Sequence, residues 1–214
     1  MLSALREVPP ASGVLYLHGF NSGSGSPKAA LMRAACRRLG LPCETPQLPH
    51  RPEAAFALAE ALLAGLGPAP LVAGSSLGGF FATCLAERHG LPAALINPAV
   101  RPATLVADWV DEAFVNDYTG ERFTVGAEHL AELTALTPEA VTPRHYLLLL
   151  GSRDEVLDPA EAFALYHGAR TLVHPRGDHG FDVLADYLPA IFAHGGHYLA
   201  PGRLPDQDLD MDDA

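Results

Sequence analysis

The sequence has little positive charge. Its 214 residues include 14 Lys and Arg against 25 Asp and Glu, which gives a formal net charge of −11. Nucleic acids and anionic membranes attract basic protein surfaces, so this balance argues against both as partners. Part of the acidic excess lies in residues 205–214, where five aspartates cluster. We predict that residues 195–214 form a solvated acidic tail.

Cysteine is also scarce, and the sequence lacks a C-x-x-C pair. Cys36, Cys43 and Cys84 form an odd set, which suits buried reduced thiols better than a disulfide framework. The N-terminus lacks the basic-then-apolar pattern of a signal peptide, and no uncharged apolar run approaches ~20 residues. The sequence therefore predicts a cytoplasmic protein without a membrane span, and it leaves the oligomeric state open.

Short apolar runs alternate with longer amphipathic segments, and 49% of the residues are hydrophobic. This alternation is typical of an α/β protein with a mostly parallel sheet. We predict a single domain over residues 1–194, with about six strands, helices on both faces of the sheet and a possible cap or insertion at residues 97–142. The expected strands are residues 14–17, 43–46, 70–73, 93–96, 145–150 and 171–174.

Capping residues and helix breakers mark the helices. Ser26 is expected to cap a helix whose first residue is Pro27 and which stops at Gly40. The insertion is expected to be irregular apart from one helix, and it lies where a lid could be built into the fold. Its aromatic residues, Trp109, Phe114 and Phe123, are expected to pack together, although they could instead line an acyl pocket. The other expected helices are residues 52–66, 77–89, 127–136, 159–166 and 181–193.

Residues 74–78 (GSSLG) match the G-x-S-x-G pattern of a nucleophile elbow. This turn holds a serine in a strained conformation between a strand and a helix, and larger side chains two residues before and after it would collide. Only Ser76 has glycine on both sides at that spacing. We therefore expect Ser76 to be the nucleophile and Ser75 to shape the turn. The pattern indicates acyl transfer through serine.

A serine nucleophile needs a base, and the base needs an acid that orients it. His179 is the expected base and Asp154 the expected acid, because the chain order Ser, Asp, His is that of α/β-hydrolases. Both residues follow parallel strands, whose carboxyl ends meet at one edge of a sheet. Asp158 and Asp178 are rival acids. Asp158 is better explained as a helix cap, and Asp178 as a turn residue.

The negative oxygen that develops during acyl transfer needs backbone N–H donors. Leu77 N–H, at the start of the elbow helix, and Phe20 N–H, in the loop after the first strand, are the expected pair. His18 lies in the same loop and is expected to be structural rather than a base. A metal-dependent alternative would use His174, Asp178 and His179. No H-E-x-x-H pattern supports it, so no metal site is predicted.

Several motifs spread over residues 14–182 resemble a known family. The most specific is LINPAVRP at residues 95–102. The others are YLHGFNS (16–22), SPKA (26–29), GSSLGG (74–79), YTGE (118–121), DEVLD (154–158) and DHGF (178–181). Together they resemble the YqiA/YcfP-type esterases, small bacterial α/β-hydrolases. The resemblance implies an α/β-hydrolase fold, a triad of Ser76, Asp154 and His179, short acyl chains and no cofactor. Residues 151–153 depart from the family's tighter glycine turn, and the acidic tail has no counterpart.

These residues predict a serine esterase that hydrolyses carboxylic esters through an acyl-enzyme, with a small-molecule ester as its partner, and the resemblance implies that the esters have short acyl chains. Two alternatives stay open. The same triad suits a thioesterase or another acyl-transfer hydrolase. A catalytically silent α/β-hydrolase scaffold could bind a small molecule or a protein instead.

Overall fold

A six-stranded parallel sheet forms the centre of the computed structural model, which describes residues 9–200. The spatial order of its strands is β2-β1-β3-β4-β7-β8, while β5 and β6 form a separate antiparallel pair. The mostly parallel sheet predicted from the sequence is therefore confirmed. In chain order the strands are β1 (Val14–Leu17), β2 (Cys43–Glu44), β3 (Leu71–Ser75), β4 (Ala93–Ile96), β5 (Ala113–Val115), β6 (Arg122–Thr124), β7 (Tyr146–Gly151) and β8 (Arg170–His174).

Local signals in the sequence set the ends of several helices. Ser26 Oγ accepts the N–H of Ala29 at 3.4 Å, and Pro27 is the first residue of the helix that follows. That helix ends at Gly40, which has the left-handed φ of 66° that glycine adopts readily. The helices are α1 (Pro27–Leu39), α2 (Pro52–Leu63), α3 (Leu77–His89), α4 (Pro102–Ala107), α5 (Ala127–Leu136), α6 (Pro159–Leu165) and α7 (Leu184–His194).

Alternating residues of each central strand face opposite sides of the sheet. Val14 and Tyr16 of β1 face a core built with α1 and α7, while Leu15 and Leu17 face a core built with α2 and α3. All four side chains are buried. Because both faces carry apolar residues, helices cover both, as the sequence predicted.

The insertion holds more regular structure than the sequence indicated. Besides the expected α5, it contains α4 and the β5–β6 hairpin. The hairpin pairs Phe114 with Phe123, and both rings pack against Phe20, outside the insertion. Two three-residue strands carry almost no local signal, and their stability comes from this distant contact. The expectation of an otherwise irregular segment was wrong for this reason.

Two helix boundaries also differ from those expected. The helix that begins at Pro52 continues only to Leu63, and a 3₁₀ turn covers Ala64–Leu66. The last helix begins at Leu184 rather than at residue 181, because Phe181 has a φ of 49° that no α-helix permits. Within residues 9–200, no helix is both long and apolar enough to cross a membrane. Most of the predicted acidic tail lies outside the described residues.

Candidate active site

Ser76 occupies the sharp turn between β3 and α3. Its backbone has φ 56° and ψ −123°, a conformation that side-chain-bearing residues rarely adopt. The glycines on either side are needed for close approach. A Cβ on Gly74 would collide with the carbonyl of Gly78, and a Cβ on Gly78 would collide with the carbonyl of Leu17. The turn therefore has the geometry of a nucleophile elbow, with Ser76 at its apex.

The structure brings Ser76, His179 and Asp154 into one hydrogen-bonded chain. His179 Nε2 lies 3.1 Å from Ser76 Oγ. His179 Nδ1 lies 2.8 Å from Asp154 Oδ2 and 3.0 Å from Asp154 Oδ1. A carboxylate only accepts hydrogen bonds, so this contact assigns the imidazole proton to Nδ1 and leaves the lone pair of Nε2 facing the serine hydroxyl. In this state the imidazole can take the proton of Ser76.

Asp154 is held as a buried, ionised carboxylate. Its side chain is 1% exposed, and its Oδ1 accepts the backbone N–H groups of Val156 at 2.9 Å and Leu157 at 2.8 Å. Burial alone would raise its pKa, but the hydrogen bonds from His179, Leu157 and Val156 outweigh burial, and the pKa lies below the ordinary value. The carboxylate is therefore charged at neutral pH and can stabilise a protonated His179.

Residues 151–153 depart from the family's glycine turn, but they still place Asp154 within hydrogen-bond distance of His179. The N–H of Ser152 donates to the His174 carbonyl at 3.0 Å, and the N–H of Arg153 donates to the Gly177 carbonyl at 2.8 Å. These bonds attach the turn after β7 to the turn after β8. As a result, the loops that carry the acid and the base are linked through their backbones.

Asn97 is a functional candidate to which the sequence analysis assigned no role. It is buried at the end of β4, and its Nδ2 donates to the carbonyls of Asp178 at 2.9 Å and His179 at 3.2 Å. Its Oδ1 accepts the N–H of Gly151 at 2.8 Å. One side chain thus joins the histidine loop to the end of β7. Its position in the LINPAVRP motif is the only signal in the sequence that could have singled it out.

The loop after β1 lies against the nucleophile. A Cβ on Gly19 would lie 3.0 Å from Ser76 Cβ and 3.6 Å from Ser76 Oγ. In the described part of the chain, the N–H groups of Phe20 and Leu77 donate to no protein acceptor. Two free backbone donors beside a serine hydroxyl form the arrangement that an oxyanion hole requires.

His18 holds this loop in place. Its Nε2 accepts the N–H of Leu48 at 3.0 Å, so its proton is on Nδ1 and is donated to the Gly19 carbonyl at 2.9 Å. Burial lowers its pKa, with the Gly19 bond opposing the shift. With both nitrogens occupied by backbone groups, His18 supports the loop and does not contact Ser76.

The remaining candidate residues lie apart from the triad. Ser75 is buried at the end of β3, and its side chain lowers the pKa of Tyr16 against the larger effect of burial. Asp158 caps α6 through the N–H of Ala160 at 2.9 Å. Asp178 accepts the N–H of Phe181 at 3.1 Å within its turn. The three residues of the metal-dependent alternative are held by separate partners.

No metal-binding cluster is formed by these side chains. His174 Nδ1 lies 3.0 Å from the Tyr187 hydroxyl, whereas His179 faces Asp154. Residues 9–200 contain no group of three or more His, Cys, Asp or Glu side chains that could hold a metal ion. The metal-dependent alternative therefore has no geometric support in this region.

Trp109, Phe114 and Phe123 pack around Phe20 rather than around the cavity at Ser76. Their ring centroids lie 4.9, 5.0 and 5.8 Å from that of Phe20. The insertion is thereby attached to the loop that carries one of the two free N–H donors. The side chain of Phe20 therefore anchors the insertion to the loop whose Gly19 lies against Ser76.

A cavity of about 540 Å³ opens at Ser76 and His179. The start of α1, the tip of the hairpin at Tyr118 and the residues after His179 form its other walls. This volume falls within the range of small-molecule sites. The serine and the histidine are therefore accessible to a ligand of modest size.

The parallel sheet, the elbow and the Ser–His–Asp chain define a protein of the α/β-hydrolase fold. Solved structures with this fold agree. Alpha/beta hydrolase domain-containing protein 10 from mouse is 17% identical with a TM-score of 0.64, and 87% of this chain and 89% of that chain are covered. A monoacylglycerol lipase of Paleococcus ferrophilus is 16% identical with a TM-score of 0.62, covering 86% and 96%. Est1E of Butyrivibrio proteoclasticus is 16% identical with a TM-score of 0.61, covering 88% and 87%.

The family is narrower than the fold. Residues 13–195 match the family described as "Uncharacterised protein family (UPF0227)", and the chain belongs to it. This is the YqiA/YcfP family that the sequence motifs resemble, so that prediction is confirmed.

Proposed function

We propose that the protein is a serine esterase that hydrolyses short-chain carboxylic esters. The observation that carries the proposal is the 3.1 Å contact between His179 Nε2 and Ser76 Oγ, with His179 Nδ1 bonded to the buried carboxylate of Asp154. The names of solved proteins with this fold, which include esterases and lipases, support ester hydrolysis as the reaction class. The cavity of about 540 Å³ suits a small ester.

In the proposed reaction, His179 Nε2 takes the proton of Ser76 as the serine oxygen attacks the ester carbonyl. The N–H groups of Phe20 and Leu77 hold the resulting oxyanion. Protonated His179, stabilised by Asp154, then gives its proton to the leaving alcohol, and an acyl-enzyme forms. A water molecule deprotonated by His179 attacks this acyl group, and the carboxylic acid is released with Ser76 restored.

The proposed compartment is the cytoplasm. Cys36, Cys43 and Cys84 are free thiols in the structure, and Cys36 and Cys84 are buried. Reduced cysteines are typical of intracellular proteins, which supports this location. Fractionation of cells that produce the full-length protein tests it directly.

Labelling with a fluorophosphonate tests the proposed nucleophile. We expect the Oγ of Ser76 to displace fluoride from the probe, and peptide mass spectrometry to locate the adduct on Ser76. Ser76→Ala should abolish both labelling and 4-nitrophenyl acetate hydrolysis while the thermal melt changes little. Ser75→Ala is the matched control, because it makes the same substitution one residue earlier and should still be labelled. An adduct on Ser75, or full activity of Ser76→Ala, would remove Ser76 from the mechanism.

A panel of 4-nitrophenyl esters from acetate to palmitate tests the proposed chain length. We expect kcat/KM to be highest for acyl groups of two to about four carbons, as the resemblance to the family implies. A butyryl-CoA arm, compared with butyrate esters, separates an oxygen ester from a thioester. A higher kcat/KM for the thioester would assign the same triad to a thioesterase.

A further inference from the structure

Lys28 has an unusual place in both the composition and the structure. It is the only lysine among the 14 basic residues of the chain, since the other 13 are arginine. It also lies on the wall of the cavity that contains Ser76 and His179. The one lysine of the chain and its candidate nucleophile therefore line the same cavity. The ammonium is a compact point charge with three donors, and it can follow an anion within a small cavity.

In the part of the chain that the structure describes, Lys28 forms neither an ion pair nor a hydrogen bond. Three arginines, by contrast, pair with carboxylates: Arg51 with Glu132, Arg88 with Glu60 and Arg101 with Glu161.

Lys28 is half-buried, so its charged ammonium loses part of its hydration without gaining a partner among the described residues. Burial lowers the pKa of Lys28, and the charges of Asp182 and Asp178 oppose that shift from a distance. Both aspartates are exposed, so water screens them. An anion that entered the cavity would provide the partner that residues 9–200 do not supply.

The rest of the cavity wall contains little charge to compete for that anion. Besides Lys28, its charged or titratable lining residues are His179, Asp182 at the surface, and two tyrosines, Tyr16 and Tyr118. Leu31, Phe181 and Leu184 supply apolar surface between them. The cavity thus combines apolar surface, one lysine, one aspartate at the surface and the Ser76 hydroxyl.

We propose that Lys28 binds an anionic oxyacid group, a carboxylate or a phosphate, on the ester whose carbonyl Ser76 attacks. The inference rests on the proposed esterase function and names its substrate class. The ester carries a negative charge on its acyl or its alcohol part, within the length of one small cavity. Lys28 is then the residue that sets specificity for charged over neutral esters.

Matched pairs of esters test this specificity. On the acyl side, mono-4-nitrophenyl succinate is compared with its neutral methyl ester. On the alcohol side, 4-acetoxybenzoate is compared with its neutral methyl ester, and 4-acetoxyphenyl phosphate with its neutral dimethyl ester. The measured quantity is the ratio of kcat/KM for the charged ester to kcat/KM for the neutral one. The pair with the highest ratio identifies the position of the charge and the kind of anion.

Lys28→Met should lower that ratio at least about tenfold, the effect expected when one charge-assisted hydrogen bond is lost. Lys28→Arg should retain most of the ratio. Arg38→Met is the matched control, because it removes one positive charge from an exposed position on the same helix. A ratio that falls equally in Arg38→Met and Lys28→Met would show a general effect of net charge and would overturn the proposal. An unchanged ratio in Lys28→Met would also overturn it.

A binding measurement separates this proposal from the proposed activity. Reductive methylation with ¹³C-formaldehyde labels the single lysine and the N-terminal amine, and the two NMR signals are distinguished by their loss or retention in Lys28→Met. Titration of Ser76→Ala protein with inorganic phosphate or succinate should shift the Lys28 signal saturably while the N-terminal signal stays in place. No saturable shift with either anion would overturn the anion site even if esters are hydrolysed. A saturable shift without hydrolysis of any ester would instead overturn the esterase and keep the site.

Discussion

The side-chain amide of Asn97 donates to the main-chain carbonyl of His179 at 3.2 Å, although 82 residues separate them in the sequence. The same amide group accepts the N–H of Gly151 at 2.8 Å. Asn97 has a φ of 41°, a left-handed conformation that asparagine tolerates better than most residues. It is therefore suited to position the loop of the base relative to the loop of the acid from a place outside the lining of the cavity at Ser76.

The substitution Asn97→Asp tests this positioning role. Aspartate has nearly the same shape and tolerates the left-handed conformation, but its carboxylate cannot donate to the carbonyls of Asp178 and His179. We expect kcat to fall at least about tenfold with KM little changed, because the distance from His179 to Ser76 is no longer fixed. Unfolding in urea should show a loss of about 1–3 kcal/mol from the buried groups left without partners.

Thr83→Val separates loss of positioning from loss of stability. Thr83 Oγ1 donates to the Gly79 carbonyl at 2.9 Å and accepts from the Tyr166 hydroxyl at 2.7 Å, and it makes no contact with the triad side chains. This variant should lose stability on a similar scale and keep its kcat. An Asn97→Asp protein whose kcat falls no further than that of Thr83→Val would assign Asn97 a purely structural role.

Asp154→Asn should lower kcat about 10⁴-fold while labelling of Ser76 becomes slow rather than absent. The amide cannot hold the proton on His179 Nδ1, so the imidazole presents the wrong tautomer to the serine. Single-turnover kinetics with a 4-nitrophenyl ester measure the acylation step directly. Activity within tenfold of the unsubstituted protein would point to Asp158 or Asp178 as the acid.

The stability difference between Asp154→Asn and the unsubstituted protein should depend on pH. The folded pKa of Asp154 lies below its ordinary value of 3.8. Its contribution to stability is therefore fully present above about pH 4 and is lost as the pH falls through the folded pKa. Urea unfolding from pH 7 to pH 3 should show the two proteins converging at the acid end. A constant difference over that range would contradict the hydrogen-bonded, ionised carboxylate.

The parts of this fold that the sequence predicted well are those with local causes. Ser26, Pro27 and Gly40 set the ends of α1 through bonds and dihedral angles within a few residues. The elbow is equally local, because the backbone at Ser76 requires its neighbouring glycines. Patterns of this kind can be read in one sequence without knowledge of the tertiary structure.

The features that the sequence did not predict depend on contacts between distant segments. The β5–β6 hairpin is stabilised by Phe114 and Phe123 packing on Phe20, which lies about a hundred residues earlier. The role of Asn97 depends on the meeting of two loops that are 54 and 82 residues away. Lys28 acquires its place in the cavity only when α1 packs beside the elbow. None of these contacts leaves a periodic pattern.

Phe20→Ala should make both the insertion and the loop after β1 less well ordered, and that loop carries the free N–H of residue 20. Phe20 stacks on Trp109, the only tryptophan of the chain, at 4.9 Å. We expect a loss of about 2 kcal/mol, less than for a fully buried phenylalanine because Phe20 is half-buried. The emission of Trp109 should shift to longer wavelength, and kcat should fall more than KM rises.

Phe56→Ala provides the control for this experiment. Phe56 is buried in α2 and lies under the guanidinium of Arg88 rather than in the aromatic cluster of the insertion. It should lose comparable or greater stability while the folded-state emission of Trp109 is unchanged. If both variants shift the emission equally, the tryptophan reports general loosening, and the specific link between Phe20 and the insertion is wrong.

His129 should make the protein less stable as the pH falls below about 6.5. It is buried, its Nδ1 accepts the N–H of Gly126 at 3.0 Å, and its Nε2 lies 3.1 Å from His50 Nδ1. Burial lowers its pKa from the ordinary 6.5. Glu128 and the Gly126 bond oppose this shift, whereas His50 and Arg51 add to it. The unfolded chain therefore binds a proton near pH 6.5 that the folded protein does not, and stability is lost below that pH.

The substitution His129→Asn keeps an acceptor for Gly126 N–H and removes the titrating group. Between pH 6.5 and pH 5, it should reduce the dependence of the unfolding free energy on pH by up to about 1.4 kcal/mol per pH unit. That is the slope expected when unfolding takes up one proton. Part of the slope should remain, because burial also lowers the pKa of His18 and His194. His167→Asn, at an exposed position, is the matched control and should leave the slope as it is. Parallel curves for His129→Asn and the unsubstituted protein would show that His129 takes up its proton equally in the folded and unfolded states, contrary to its burial beside His50.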